Sequence, residues 1–290
     1  MDTRGVLDGE RRITFLKPLP VSSEGRRFEV RSKVIGVYDK GKPGTVVETE
    51  QTLVDAQSGE VYSRAVGSGF YVGQGGWGGP KGRCCIPLRF LHSLDERVGR
   101  GERLNGLYQT GLNWTEPDVY ANTTIIPGPK TVNYPPPQGK QPDATYAFRT
   151  TPETALLYRL NGDYNPLHAT PEPGVKMGFG GPIIHGLFSW NCTAHGVLQR
   201  LGGSDPANIK EFQARFASPV KPGDKLVTEM WKTGAADKDG FEEVRFVTKV
   251  DGGKVCLSNG RALVRCVGSA KGRLLGEMKG KVIGKVPTML

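Results

Sequence analysis

Short runs of alternating apolar and polar residues, separated by turn residues, make up most of the chain. Three runs in the first part have the two-residue period of β-strands, at Arg26–Tyr38, Thr45–Asp55 and Val61–Tyr71. The stretch Gly73–Gly82 that follows is too rich in glycine to hold a regular element, so we predict a loop there. The first part is therefore predicted to be an antiparallel meander that ends in a loop.

The second part of the chain combines helical and strand-like patterns. Thr151–Leu160 begins with a hydroxyl residue, a proline and an acid, which is typical of a helix start. From Ile183 to Leu201, apolar residues fall on nearly every side of the predicted helix, as in a buried helix. Strand-like runs follow at Asn208–Ala217, Asp224–Lys232, Phe241–Val250 and Lys254–Cys266. A buried helix followed by antiparallel strands predicts a sheet wrapped around that helix, which is the hot-dog layout.

The length of 290 residues and the proline-rich connector Tyr134–Asp143 indicate two units. The predicted fold class is α+β, a tandem or double hot-dog fold with antiparallel sheets wrapped around a long buried helix. We divide the chain into a first hot-dog-like module that lacks its central helix (1–82), an insertion with the linker (83–144), a second complete module (145–268) and a basic tail (269–290).

Charge and cysteine content narrow the kinds of partner. The formal net charge is +10, but Lys and Arg are scattered and lack the patterns of nucleic-acid readers, so we expect no nucleic acid. A positive rim would also suit a small phosphorylated ligand. Five cysteines without paired C-x-x-C spacing predict free thiols and no metal site. No apolar run approaches the roughly 20 residues that span a bilayer, so we expect a soluble, intracellular protein without membrane insertion.

An acid, an amide and an imidazole converge on the segment Tyr158–His168. Gly162 permits a sharp turn and Pro166 restricts the backbone, so that Asp163 and His168 can face each other across the turn. A rigid pair of this kind can hold one water molecule in a fixed geometry, which favours general acid-base catalysis. Asp163 alone is more typical of a simple turn, and the case for chemistry depends on its combination with His168 and with the next segment.

The second candidate segment, Gly180–Leu187, lies at the start of the predicted buried helix. Free backbone N–H groups at a helix N-terminus carry partial positive charge, which suits an oxygen that becomes negative during a reaction. Gly186 has no side chain, so a thioester carbonyl could approach its N–H as in an oxyanion hole. His185 is interpreted as a residue that caps the helix or packs at its start. A water-orienting pair and such an N–H are the parts needed to hydrate an α,β-unsaturated thioester.

These segments resemble the hydratase domain of the type-2, R-specific enoyl-CoA hydratases found in peroxisomal multifunctional β-oxidation enzymes, within the MaoC-like double hot-dog family. The resemblance covers Ala155 to Val264 and rests on the motifs Gly162-Asp163-x-Asn165-Pro166-Leu167-His168, His185-Gly186-Leu187, Ala214–Gly223 and Thr228–Lys232. The first half is similar to that family's substrate-binding module through Gly9-Glu10, Leu16–Pro20, Asp39–Gly41 and Gly75–Gly79. One departure is Asp8, where the family usually has His.

The resemblance implies a role for each candidate residue. Asp163 and His168 would share the catalytic water and its protons, and Asn165 would help to hold that water. Gly186 would bind the thioester oxygen. The contacts with the acyl-CoA substrate would come from Gly9, Lys40, Tyr164 and Phe216. From the residues alone, Lys40 could equally be a solvated turn lysine and Phe216 an inward-facing strand residue.

The resemblance implies reversible hydration of trans-2-enoyl-CoA to (3R)-3-hydroxyacyl-CoA in fatty-acid β-oxidation, without a cofactor. Two alternatives stay open: an acyl-CoA thioesterase, because hot-dog folds also host that chemistry, and a non-catalytic acyl-CoA-binding protein. We expect the first sheet to pack against the second module or against a second chain, and a homodimer is expected, because an uncovered sheet face promotes association. The resemblance also implies a peroxisomal location, but Thr288-Met289-Leu290 matches the Ser-Lys-Leu type of signal poorly, so the cytoplasm is the alternative.

Overall fold

The computed structural model describes residues 6–82 and 132–267. The strands in these ranges are β1 (Val6–Phe15), β2 (Phe28–Asp39), β3 (Gly44–Asp55), β4 (Val61–Val72), β5 (Ala144–Arg149), β6 (Ile209–Phe216), β7 (Lys225–Ala236), β8 (Glu242–Val250) and β9 (Val255–Val264). The helices there are α1 (Thr154–Tyr158), α2 (Pro171–Lys176) and α3 (Gly186–Leu201), with single 3₁₀ turns at Arg159–Asn161, Pro166–His168 and Pro206–Asn208. None of these helices is long and apolar enough to cross a membrane. The predicted tail and most of the predicted insertion lie outside the described residues.

All nine strands belong to one antiparallel sheet in the order β2-β3-β4-β1-β6-β9-β8-β7-β5. The two halves of this sheet have the same strand arrangement on either side of the central β1–β6 pair. In the first half, β1 is followed outward by β4, β3 and β2. In the second half, β6 is followed outward by β9, β8 and β7. The central pair aligns Glu10 with Arg215 and Ile13 with Phe212. The double hot-dog prediction is confirmed, with the addition that both modules share one continuous sheet.

The two halves differ in what accompanies their strands. Residues 6–82 contain four strands and no helix. Strand β2 is the outer strand of this half, and the described residues place no strand beside it in the position that β5 takes beside β7. Strands β2, β3 and β4 confirm the predicted meander, whereas β1 and β5 were not predicted.

Helix α3 packs against the second half of the sheet and forms the main core with it. Trp190, Val197 and Leu201 of the helix are buried. The Trp190 ring meets Phe212 of β6 edge-on at a centroid distance of 4.6 Å, and Phe212 stacks on Phe246 of β8 at 4.8 Å. The prediction of a buried helix is therefore confirmed.

Helix α3 begins three residues later than the sequence predicts, at Gly186. The backbone N–H groups of Ile183 and Ile184 donate to the carbonyl oxygens of Leu167 (3.3 Å) and Val220 (2.7 Å), which keeps this segment out of the helix. His185 then takes the non-helical angles φ −54° and ψ 134°. The first N–H groups of the helix consequently start at Gly186 and have no carbonyl partner within the helix.

Candidate active site

The loop that carries the candidate acid-base residues is held by its own side chains. Gly162 ends a 3₁₀ turn with φ 103°, a left-handed conformation that suits glycine. The Asp163 carboxylate accepts a hydrogen bond from the Asn165 N–H through Oδ1 (3.1 Å), and the Asn165 side chain accepts one from the Leu167 N–H (3.0 Å). Asn165 therefore shapes the turn that leads to His168.

The orientation of His168 leaves one ring nitrogen available to act as a base. His168 is buried, with 9% of its surface exposed, and its Nδ1 lies 2.8 Å from the carbonyl oxygen of Ile183. Because a carbonyl oxygen only accepts hydrogen bonds, Nδ1 carries the hydrogen and donates it. The Nε2 lone pair of the neutral ring is then free to take a proton from water.

A second histidine, His185, completes the cluster. Its ring stacks on that of His168 with centroids 3.8 Å apart and an interplanar angle of 25°. Its Nε2 lies 3.4 Å from the Asp163 carbonyl oxygen and 4.0 Å from the Asp163 carboxylate. Burial, and then the neighbouring His168, lower the pKa of His185, which favours its neutral form. The sequence-based interpretation left open whether His185 caps or packs: its side chain makes no capping hydrogen bond, and its ring packs at the helix start.

The ligand-type atoms of Asp163, His168 and His185 lie within 4.8 Å of one another, so this trio also has the composition of a metal site. A shared ion needs the in-plane lone pairs of both imidazoles to point at one position. Stacked rings at 25° direct those lone pairs side by side instead. The arrangement fits transfer of a proton to and from a held water better than coordination of an ion.

Two strand residues, Asp8 of β1 and Phe216 of β6, lie against the start of helix α3. A side-chain carbon built on Gly186 would lie 2.7 Å from the Asp8 carboxylate oxygen Oδ2 of β1 and 3.1 Å from the Phe216 ring of β6. The missing side chain of Gly186 is thus the reason that these two groups can come so close. Gly186 and Phe216, predicted separately from sequence, lie together here.

Tyr158 of helix α1 lies against the same cluster. Its ring centroid is 5.0 Å from that of His185, and its hydroxyl accepts a hydrogen bond from the Asn191 side chain (3.1 Å). Burial raises the pKa of the Tyr158 hydroxyl, and the negative charges of Asp8 and Asp163 add to that increase. Both carboxyl groups therefore lie near one phenol.

Gly9 reaches the site only through its neighbour Asp8. The pairing of β1 with β4 shifts register between Asp8 and Arg11, which marks a β-bulge at Gly9. A side-chain carbon on Gly9 would lie 2.5 Å from Ser68 Oγ on β4. Gly9 thus permits close packing of two strands and gives Asp8 its direction.

Lys40 belongs to the first half of the sheet, whereas Tyr164 directly follows Asp163 in the sequence. Lys40 occupies the β2–β3 turn, where its Nζ donates to the Lys81 carbonyl and lies 5.4 Å from the Tyr38 ring centroid. Three strand spacings, about 14 Å in total, separate β2 from the strand that carries Asp8. Tyr164 is 64% exposed, and the Arg159 guanidinium carbon is 5.8 Å from its ring centroid.

The glycine-rich loop closes over the turn that bears Lys40. The Asp39 carboxylate accepts hydrogen bonds from the N–H groups of Gly76 and Gly78, each at 2.7 Å, and from Gly41 at 2.8 Å. These bonds, with that from Gly76 the strongest, lower the pKa of Asp39. The predicted loop is therefore present, and an ionised Asp39 fastens it to the turn.

Three site residues were missed by sequence reasoning: Asp8, Tyr158 and His185. His185 had a usable signal, because it precedes Gly186 directly and shares its motif. Asp8 was noted only as a departure from a family pattern. Tyr158 begins the segment that the sequence singles out, but no role was predicted for it, since an aromatic residue in a short helix is usually part of the core.

Comparison with known proteins is consistent with this site. Residues 134–253 match the protein family described as MaoC like domain. "Probable dehydratase NIT22" of Ajellomyces capsulatus is 44% identical over 92% of this chain and 61% of its own length, and "Enoyl-CoA hydratase 2, peroxisomal" of Arabidopsis thaliana is 30% identical over 79% and 60%. This chain thus spans about three fifths of the length of both relatives. A crystal structure of a MaoC-like dehydratase from Phytophthora capsici matches with a TM-score of 0.62 and 26% identity, over 92% of this chain and 74% of that chain.

The helix wrapped by antiparallel strands defines a hot-dog protein, and Asp163, His168 and His185 form a cluster of titratable side chains at the start of that helix. Residues 134–253 match the MaoC like domain, in agreement with the resemblance that the motifs predict.

Proposed function

We propose that this protein catalyses the reversible hydration of trans-2-enoyl-CoA to (3R)-3-hydroxyacyl-CoA. The observation that carries the proposal is the position of His168, whose Nε2 is free while its Nδ1 is fixed by the Ile183 carbonyl. The Asp163 carboxylate lies close to the same imidazole. Gly186 begins the adjacent helix and offers an N–H for a thioester oxygen.

The proposed mechanism moves two protons and forms one carbon–oxygen bond. His168 and Asp163 hold one water, and the pair takes a proton from it as the oxygen attacks the β carbon. The thioester carbonyl then becomes an enolate, whose oxygen is stabilised by the Gly186 N–H. A proton returned to the α carbon completes the addition, and the reverse sequence gives dehydration. Neither step requires a metal or a redox cofactor.

Other residues are proposed to bind the acyl-CoA. Phe216 lies against Gly186 and would pack on the acyl group beside the thioester. Gly9 would act through the bulge that directs Asp8, and Lys40 would meet the phosphates from the far end of a long ligand. The exposed Tyr164 ring would cover the opening of the site, and Asn165 would support the water-holding turn.

The direct test measures the loss of enoyl-thioester absorbance on addition of the protein, followed by chiral analysis of the product. Hydration with a (3R) product supports the proposal. Release of free coenzyme A would instead identify a thioesterase, and tight acyl-CoA binding without turnover would identify a binding protein. A predominantly (3S) product would contradict the proposed geometry.

We also propose a peroxisomal location and a homodimer. The location is supported by the printed name of the Arabidopsis relative, and imaging of the tagged full chain in cells would test it. The dimer is supported by the first half of the sheet, which has no helix of its own within residues 6–82. Light scattering that gives a monomer mass would refute the dimer.

A further inference from the structure

Three buried polar atoms lie on strand β1 and at the start of helix α3, two elements that contact each other. They are Arg11 Nε, His185 Nδ1 and Ser189 Oγ, and none of the three has a hydrogen-bond partner. His185 and Ser189 are 2% and 3% exposed and lie one helical turn apart, on the same side of the helix start. The Trp190 indole N–H donates to the Arg11 carbonyl (3.4 Å), which places β1 against this turn. Buried polar atoms are normally paired, so this concentration indicates a polar partner that arrives from outside.

Asp8 supplies an acceptor to the same place. The Asp8 Oδ1 atom is 3.3 Å from Arg11 Nη2. The Asp8 Oδ2 atom faces Gly186, where a side-chain carbon built on the glycine would lie 2.7 Å from it. The β-bulge at Gly9 gives Asp8 this direction. We call Asp8 and Arg11, together with the helix-start residues His185 and Ser189, the polar pocket; Asp8 Oδ2 supplies an acceptor and Arg11 Nε an unpaired donor.

We propose that this polar pocket binds a hydroxyl group on the acyl part of the substrate, next to the reacting double bond; this rests on the proposed hydration of an enoyl thioester. A hydroxyl is the simplest group that donates and accepts at once. It would donate to Asp8 Oδ2 and accept from Arg11 Nε. The γ carbon is the first that can carry this hydroxyl without altering the enoyl system. The substrate class is thus a γ-hydroxylated enoyl thioester.

An unsubstituted chain fits this pocket poorly for two reasons. It would leave the buried donors and acceptors without partners, and a site built to bond a hydroxyl discriminates strongly against an analogue that lacks it. It would also leave the Asp8 carboxylate facing the enolate oxygen at Gly186 with no hydrogen between them, and like charges at that range repel. A bound hydroxyl gives Arg11 Nε an acceptor and places a hydrogen on Asp8 Oδ2, which reduces both penalties.

The test compares γ-hydroxycrotonyl-CoA with crotonyl-CoA, which differ by one hydroxyl. For the wild-type protein, we expect kcat/KM to be about 10-fold or more higher for the hydroxylated thioester, in line with one hydrogen bond to a charged group. In Asp8→Ala, this ratio should fall to about 1. Arg12→Ala is the matched control, because Arg12 lies on β1 but faces solvent, and it should keep the wild-type ratio.

The outcomes separate this inference from the function on which it rests. If neither thioester is hydrated, the proposed function fails, and the inference fails with it. If both are hydrated with equal kcat/KM by the wild-type protein, only the inference is overturned. An equal loss on both substrates in Asp8→Ala also overturns it, because Asp8 would then serve a part common to both. If Asp8→Ala does not fold, the ratio of the two kcat/KM values is measured instead in Asp8→Asn, which keeps the side-chain shape.

Discussion

The substitution Gly186→Ala tests whether Gly186 is needed for the reaction or only for the fold of the helix start. The new methyl carbon would lie 2.7 Å from Asp8 Oδ2 and 3.1 Å from the Phe216 ring. Both contacts are with side chains, and the Asp8 carboxylate can rotate about its bond to the strand. Alanine also favours a helix over glycine by about 1 kcal/mol. The change in the free energy of unfolding should therefore stay within about 1 kcal/mol.

The activity should respond far more strongly. A methyl group at residue 186 occupies the space through which a thioester oxygen approaches the backbone N–H. Loss of one such donor lowers kcat about 10²–10³-fold, equivalent to about 2.7–4 kcal/mol. The assay is enoyl-CoA hydration at saturating and limiting substrate, with urea unfolding of the same preparation to measure stability.

The double variant with Asp8→Ala shows whether the methyl group acts directly. If the methyl merely displaces Asp8, removal of that carboxylate restores the activity that Gly186→Ala loses. If the methyl blocks the thioester oxygen, the loss persists in the double variant. A folded Gly186→Ala protein with kcat/KM within a few-fold of wild type would refute the oxyanion role of this residue.

Further predictions concern the cluster and the buried thiols. His168→Ala and Asp163→Asn should each lower hydration about 10²–10⁴-fold with circular dichroism unchanged; near wild-type rates in either would remove that residue from the mechanism. Because burial lowers the pKa of His185, its neutral form stabilises the fold above about pH 6.5, and this contribution is lost as the pH falls through the lowered pKa. Tm should therefore drop more on acidification in the wild-type protein than in His185→Gln, and equal drops would count against the buried-imidazole argument. Burial raises the pKa of the Cys192 thiol to about 11 and that of Cys256 to about 12, so iodoacetamide at about pH 8 should leave both unmodified in the native protein, as mass spectrometry of digests would report.

The regular parts of the fold were predictable because their local patterns agree with their tertiary roles. Strands β2 to β4 alternate and end at turn residues, and helix α3 is apolar on the sides that meet the sheet. Strand β1 was missed because Gly9 and the bulge between Asp8 and Arg11 interrupt its alternation. Strand β5 has only six residues and follows a proline-rich linker, which hides it.

The candidate site was predictable where its residues are neighbours in sequence. Asp163, Asn165 and His168 share one turn, and turn chemistry alone brings them together. Asp8 could not be placed in this way, because it reaches Gly186 only through the pairing of β1 with β6. The stacking of His185 on His168 likewise depends on the extended segment that precedes α3, and no local pattern encodes it.

The β1–β6 pair also determines how the molecule comes apart. Cutting the chain between the two modules would strip β6 of a partner and expose its row of backbone N–H and C=O groups as a bare edge, which invites aggregation. The same cut would remove Asp8 and Arg11 from the helix start that they face. We therefore expect the second module to be unstable when separated from the first, and we expect the sheet and the candidate site to unfold together.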